Sequence, residues 1–208
     1  ARSTRTSNDT ELIAWESLRE APLPAARIGA RVRTATDQVH VEVIVTARPG
    51  AAGDPVATRR FRVNGVARRA SDLIGQLRVV LFSAEDLAIL AGAPAGRRRY
   101  LDITISQLDA AYVRTLQRYQ RVLQQRNSLL RRLQERRGAP GELDFWDEEL
   151  AQCAAQLVTT RARTIADLAR GAAERDAAFS PRADRLEVCY RPALPPALTE
   201  QAAHPPEA

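Results

Sequence analysis

The sequence contains no lysine and no methionine, and only two cysteines and two histidines occur among its 208 residues. Without lysine the chain cannot hold a P-loop, because the lysine of that loop reaches the β- and γ-phosphates of a nucleotide. Cys153 and Cys189 are too few and too far apart for a disulfide scaffold or a zinc site, and His40 and His204 are isolated. We therefore expect no metal site and find no candidate catalytic residue.

Long apolar runs are also missing. No segment approaches the roughly 20 apolar residues that a membrane-spanning helix requires, and no secretory signal peptide is recognisable. Hydrolase and metalloprotease motifs of the GxSxG and HExxH types do not occur. Since the chain lacks even an initiating methionine, we expect it to be an internal piece of a longer cytoplasmic protein.

What the sequence has in excess is arginine. The 31 basic residues are all arginines, they outnumber the 25 acidic residues, and the formal net charge is +6. This charge favours contact with polyanions, nucleic acid first and an anionic membrane second. A GC-rich genome is an alternative source of the bias toward arginine.

The first part of the chain shows the two-residue periodicity of half-buried strands. Residues 27–34 and 39–46 alternate between apolar and polar side chains, and residues 56–63 form a third strand. The Asn64-Gly65 pair that follows is a strong hairpin signal. These segments predict an antiparallel meander, and residues 78–82, which are apolar from Val79 to Phe82, predict a further, central strand.

Helical periodicity replaces the strand pattern after Ser83. Ser83 and Asp86 predict a capping box at the start of one helix, and Pro94 suits the first turn of the next. Residues 109–137 predict a long amphipathic helix. Its apolar stripe consists of Tyr112, Leu116, Tyr119, Leu123, Leu130 and Leu133.

A second apolar stripe follows the reversal at Gly138-Ala139-Pro140-Gly141 and predicts an antiparallel helical hairpin. Alternation then predicts a returning strand at residues 186–190, before a proline-rich tail. The predicted fold class is α+β. Its parts are a β-rich part at 1–82, a helical arm at 83–180, and the returning strand with its tail at 181–208.

Arginines in the turn before the long helix and on the helix itself are candidates for phosphate binding, since a guanidinium binds phosphate bidentately and keeps its charge. A solvated helix face is the alternative explanation. Arg98 also has the spacing to pair with Asp102, which predicts a structural role for that aspartate. The candidate DNA-binding residues are Arg97, Arg99, Arg114, Arg118 and Arg121.

Arg126 and Asn127 interrupt the apolar stripe of the long helix. A polar group inside such a seam usually sets the register of two helices at some cost in stability. We therefore predict structural roles for both residues, with direct ligand contact as the alternative.

Several of these motifs occur in the order found in the RecF family of bacterial DNA replication and repair proteins, which the chain resembles. The matching residues are Val79-Val80-Leu81-Phe82-Ser83, Glu85-Asp86-Leu87, Gly92, Pro94, Arg97-Arg98, Tyr100-Leu101-Asp102, Tyr119, Leu123 and Gln125-Arg126-Asn127. The resemblance implies the antiparallel β lobe of an ABC- or SMC-type ATPase head, followed by an inserted helical-hairpin arm. It also implies that Arg5 and Glu85 lie near a bound nucleotide.

For the full-length parent, the resemblance implies ATP with Mg²⁺ held in an ATP-dependent homodimer. It implies binding of single-strand gaps and double-stranded DNA, RecO and RecR as partners, and support of RecA loading. The present chain is expected to hold no cofactor and to hydrolyse no ATP by itself, because it lacks the P-loop, signature and Walker B segments. A helical-hairpin module that binds proteins without touching DNA is the alternative.

Overall fold

The structure is a computed structural model that describes residues 6, 8–33, 37–51, 53–179 and 186–193. The chain divides into two compact units, Ala1–Phe82 and Ser83–Ala208. No helix in the described ranges combines the length and the apolar character needed to cross a membrane.

The first unit contains a four-stranded antiparallel sheet in the order β1-β2-β3-β4, which confirms the predicted meander. Asn64 and Gly65 have φ angles of 50° and 77°, as the tight turn between the last two strands requires. The strands are β1 at Ala25–Arg33, β2 at Gln38–Pro49, β3 at Pro55–Val63 and β4 at Val66–Arg68.

The apolar face of the sheet carries the core of this unit. Val45 and Ala47 of β2 are almost fully buried against Ile13, which follows a 3-10 helix at Asp9–Leu12 and precedes α1 at Trp15–Glu20. The predicted alternation thus places the valines of β2 inward on one face, and the two short helices cover part of that face.

Residues 78–82 form no strand, which corrects the sequence-based prediction. They follow the short helix α2 at Ala70–Leu73, and the side chains of Val80 and Phe82 are 94% and 81% exposed. A continuously apolar strand needs hydrogen-bonded neighbours on both sides. The four strands of the described sheet neither include nor pair with these residues.

The second unit is helical, and the α+β class is confirmed. Its helices are a 3-10 helix at Ala84–Leu87, α3 at Ala88–Ala91, α4 at Pro94–Leu108, α5 at Ala110–Gln134 and α6 at Glu142–Phe179. Asp86 accepts a hydrogen bond from the Ser83 amide at 2.7 Å, as the predicted capping box requires. Asp109 separates α4 from α5 and caps α5 by accepting from the amides of Ala111 and Tyr112.

Helices α5 and α6 form the predicted hairpin, but the seam differs from the predicted stripe. Val122 and Leu129 of α5 are buried, whereas Leu123 and Leu130 are only partly buried. One residue along a helix is a rotation of about 100°, since a turn takes 3.6 residues. The direction from which α6 covers α5 therefore decides which of two adjacent apolar residues becomes core.

The predicted returning strand at residues 186–190 is irregular in the structure. Tyr190 instead packs against the core of the helical unit. A strand requires a neighbouring strand to pair its backbone groups, and the described residues of this unit are otherwise helices and turns. The proline-rich tail from residue 194 lies outside the described residues.

Candidate functional site

A half-buried polar cluster joins three helices of the second unit. The Arg161 guanidinium on α6 donates to Asp102 Oδ1 on α4 at 2.7 Å, and its Nε donates to the Tyr112 hydroxyl oxygen at 2.9 Å. The Tyr112 hydroxyl on α5 in turn donates to Asp102 Oδ1 at 2.5 Å. Each member of the cluster therefore bonds to both of the others.

The surroundings of this cluster are apolar. Tyr112 is 3% exposed and lies in a core with Leu101, Ile105 and Leu157. The side chain of Arg161 is 14% exposed, so its charge is balanced by Asp102 rather than by solvent. The cluster is thus an ion pair between α4 and α6 that shares hydrogen bonds with a tyrosine of α5, and it links the three helices.

This geometry corrects the predicted pairing of Arg98 with Asp102. Asp102 pairs with Arg161, 59 residues along the chain, and Arg98 is exposed. Arg161 is favoured over Arg98 because it reaches the carboxylate from the core side, where water screens the attraction between the two charges less. The structural role of Asp102 stays a prediction, now with Arg161 as its partner.

Sequence reasoning missed Arg161. A signal was present, because Arg161 stands four residues after Leu157 and four before Ile165, within the apolar stripe of α6. An arginine at such a position faces the core and requires a carboxylate there. The identity of that carboxylate is visible only in the fold.

Burial, and then the hydrogen bond to Asp102, raise the pKa of the Tyr112 hydroxyl above its usual range. A raised pKa in the folded state means that folding favours the protonated phenol. The stabilisation is complete below the unfolded-state pKa of about 10 and is lost as the pH rises above it.

We therefore predict that the free energy of unfolding falls as the pH rises above about 10, and that Tyr112→Phe weakens this dependence. Denaturant titrations at several alkaline pH values, followed by far-UV circular dichroism, measure both effects. Tyr100→Phe is the matched control, because Tyr100 is 43% exposed. An unchanged pH dependence in Tyr112→Phe would contradict the assignment of the effect to this hydroxyl.

Arg97, a predicted phosphate ligand, caps a helix. Its Nη1 donates to the carbonyl oxygens of Gly92 at 2.9 Å and Ile89 at 3.2 Å, at the carboxyl end of α3. Basic side chains commonly satisfy the free carbonyls at such an end. One nitrogen of Arg97 is thus engaged in the fold.

Acidic residues of α6 pair with arginines of α5 along the hairpin. Arg118 donates to Glu149 at 2.9 Å, and the order of the three pairs along the two helices shows that they are antiparallel. The pairs are Arg118 with Glu149, Arg126 with Asp147, and Arg132 with Glu142. Arg126, predicted to set register, therefore contacts the opposite helix.

Other candidate arginines on the helical unit are exposed. Arg99 and Arg114 have no ion-pair partner among the described residues, and Arg121 makes a 3.4 Å contact with the Gln117 carbonyl oxygen of its own helix. Arg114 and Arg121 are seven residues apart and lie on one face of α5. The structure thus leaves them as one stripe of unpaired charge, which we call the α5 stripe.

Three candidate residues remain, namely Asn127, Arg5 and Glu85. Asn127 is exposed, and no side-chain hydrogen bond of Asn127 is found within the described ranges, so its structural role stays a prediction. Arg5 lies outside the described residues. The backbone of Glu85 belongs to the 3-10 helix before α3, and its side chain is outside the described part of the structure.

The chain is similar to curated RecF proteins. It is 46% identical over 196 residues to the DNA replication and repair protein RecF of Chloroflexus aurantiacus, covering 91% of this chain and 50% of that protein. It is 47% identical over 174 residues to RecF of Herpetosiphon aurantiacus, covering 80% of this chain and 45% of that protein. The chain thus spans about half the length of these relatives.

A solved structure agrees with this similarity. The recombination mediator protein RecF, determined with ATP and described as part of the RecFOR pathway, superimposes with a TM-score of 0.72 at 27% identity, covering 86% of this chain and 45% of that one. No family model matches the chain. Sequence identity and fold thus agree over nearly the whole chain, and the chain is similar to RecF proteins over the half of their length that it spans.

Proposed function

We propose that this chain forms the sheet lobe and helical arm of a DNA replication and repair protein of the RecF type, and that the arm contacts the DNA backbone. The observation that carries the proposal is the α5 stripe. Arg114 and Arg121 lie exposed on one helix face without an acidic partner among the described residues. Their neighbour Arg118 is paired with Glu149.

The physical basis of the proposal is electrostatic. Unpaired guanidinium groups on one side of a helix can neutralise phosphates of a duplex and release the counterions condensed there. Such contacts position a protein on DNA without reading its sequence. Arg99, which is exposed at the start of α4, is a further candidate contact.

We infer that the nucleotide chemistry of the full-length protein lies outside this chain. The sequence has no lysine for a P-loop, and the described residues contain no group of three or more His, Cys, Asp or Glu side chains placed to hold a metal ion. The missing lysine supports the proposal that nucleotide binding depends on other parts of the full-length protein. Support for ATP binding by the parent comes from the RecF–ATP structure that the chain resembles.

The family also supports proposals about partners. We infer that the full-length cytoplasmic parent binds single- and double-stranded DNA, forms an ATP-dependent homodimer, acts with RecO and RecR, and supports RecA loading. The name of the RecFOR pathway in the matching structure supports the RecO and RecR part of this inference.

A protein-docking arm is the second candidate function. It is favoured by the three ion pairs between α5 and α6, which neutralise part of the arginine charge that DNA would need. Such an arm would show little affinity for DNA even at low salt.

The test is the salt dependence of binding to a short duplex of mixed sequence, measured by fluorescence anisotropy between about 50 and 200 mM salt. Each phosphate contact contributes about −0.9 to the slope of log affinity against log salt. We expect Arg114→Ala with Arg121→Ala to reduce the magnitude of this slope by about 1.8, without loss of helical circular dichroism.

Arg118→Ala with Arg132→Ala is the matched control, because both of these arginines are already paired with acids of α6. We expect the control to change the slope less, since arginines that are paired with glutamates do not neutralise phosphates. Equal slopes for the wild type and the Arg114/Arg121 variant would show that the α5 stripe does not contact DNA.

A further inference from the structure

The strand register gathers arginines on the face of the sheet opposite to its apolar core. Arg27 and Arg60 flank Ile44 in one row across the strands, Arg62 lies beside Glu42 in the next, and Arg31 pairs with His40 in a third. Side chains at alternate positions of a strand share a face. The basic sheet face, as we name it, consists of Arg27, Arg31, Arg33, Arg48, Arg60 and Arg62, all of them exposed.

Among the described strand residues of this face, one carries a negative charge. Glu42 is the only carboxylate among the strand residues that share the face, and it is 3% exposed. Its Oε1 accepts from Arg27 Nε at 2.8 Å, and the Arg27 side chain remains 64% exposed. Glu42 thus pairs directly with Arg27 and is also attracted by the nearby His40 and Arg62, and it forms no ion pair with the other arginines of this face among the described residues.

The shape of the face selects among polyanions. Strands about 4.8 Å apart, with a rise of about 3.4 Å per residue, spread the six arginines over a strip roughly 30 Å long and three strands wide. The strand residues on this face include no phenylalanine, tyrosine or tryptophan. Single-strand binding faces use such aromatic side chains to stack bases, so this face suits the backbone of a duplex.

We propose that the basic sheet face is a second DNA site, which binds the phosphate backbone of double-stranded DNA independently of the α5 stripe. The proposal rests on the function proposed above and extends it to the other unit of the chain. It uses none of the arginines of the helical unit, so the two sites can be tested separately.

The experiment compares equal losses of charge in the full chain. Arg31→Gln with Arg60→Gln removes two arginines of the basic sheet face. Arg19→Gln with Arg68→Gln is the control, because Arg19 lies on α1 and Arg68 pairs with Phe61 on the opposite face of the sheet. Circular dichroism verifies folding, and anisotropy with the same mixed-sequence duplex gives the slope of log affinity against log salt.

We expect the Arg31/Arg60 variant to reduce the magnitude of the slope by about 1.8, and the control pair to change it much less. An equal reduction by the control would overturn the proposal, because net charge rather than a site would explain the effect. A normal slope in the Arg31/Arg60 variant would also overturn it.

The α5 stripe variant separates the two hypotheses. If only Arg114→Ala with Arg121→Ala lowers the slope, the basic sheet face fails while the arm keeps its proposed function. If only Arg31→Gln with Arg60→Gln lowers it, the basic sheet face stands and the arm assignment fails. If neither variant changes DNA binding but Arg31/Arg60 loses affinity for polyglutamate, the face is a site for acidic protein and the DNA proposal fails.

Discussion

Arg161→Ala is expected to lower the free energy of unfolding by about 3–5 kcal/mol. The substitution removes the partner of Asp102 and leaves a carboxylate in a mostly apolar environment, with only the Tyr112 hydroxyl to support it. An uncompensated buried charge costs more than the net contribution of the intact pair, because its lost hydration is no longer offset. Chemical denaturation of the full chain, followed by far-UV circular dichroism, measures the change.

Arg118→Ala is the matched control for this prediction. It removes an arginine from another pair between helices, but the Arg118 side chain is 56% exposed, so we expect a loss within about 1 kcal/mol. The double variant Asp102→Ala with Arg161→Ala should be less destabilised than the sum of the two single variants, since it leaves no unpaired charge. Similar losses for Arg161→Ala and Arg118→Ala would show that the cluster is not stabilising in the proposed way.

Leu157→Ala is expected to destabilise the helical unit by about 2–5 kcal/mol. Leu157 is 2% exposed and packs with Leu101, Ile105 and Tyr112, so truncation leaves a cavity where three helices meet. The loss combines the transfer free energy of the removed carbons with the cost of that cavity. The same denaturation experiment applies, and the helical signal reports this unit directly.

Leu123→Ala tests the position of the seam with the same change of side chain. Leu123 is only partly buried on α5, so its truncation exposes the site to water and should cost clearly less than Leu157→Ala. A larger loss for Leu123→Ala would mean that α6 covers the face of α5 that the sequence pattern favours, and not the face that carries Val122.

Local signals in the sequence predicted most of the secondary structure. The alternation of the strands, the Asn64-Gly65 turn, the Ser83–Asp86 cap and Pro94 at the start of α4 all depend on residues within a few positions of one another. Their physical causes are steric preference and short-range hydrogen bonding.

The errors occurred where a distant partner decides the outcome. Residues 78–82 have the composition of a central strand, but the described residues supply no neighbouring strand to pair with them. Arg98 has the spacing to reach Asp102, but Arg161 approaches the same carboxylate from α6. In the first case the predicted partner strand is missing from the described sheet, and in the second a contact far along the chain replaced the local pair.

The sequence by itself determined the α+β class, the helical hairpin, the excess of arginine and the absence of a P-loop lysine, because composition and local periodicity depend on no other part of the fold. Only the tertiary structure decided which arginines are paired. It joined Arg161 to Asp102, placed Arg118 against Glu149, and left the α5 stripe and the basic sheet face exposed. The physical reason is that an ion pair depends on distance and burial in three dimensions, which helix packing and strand register set.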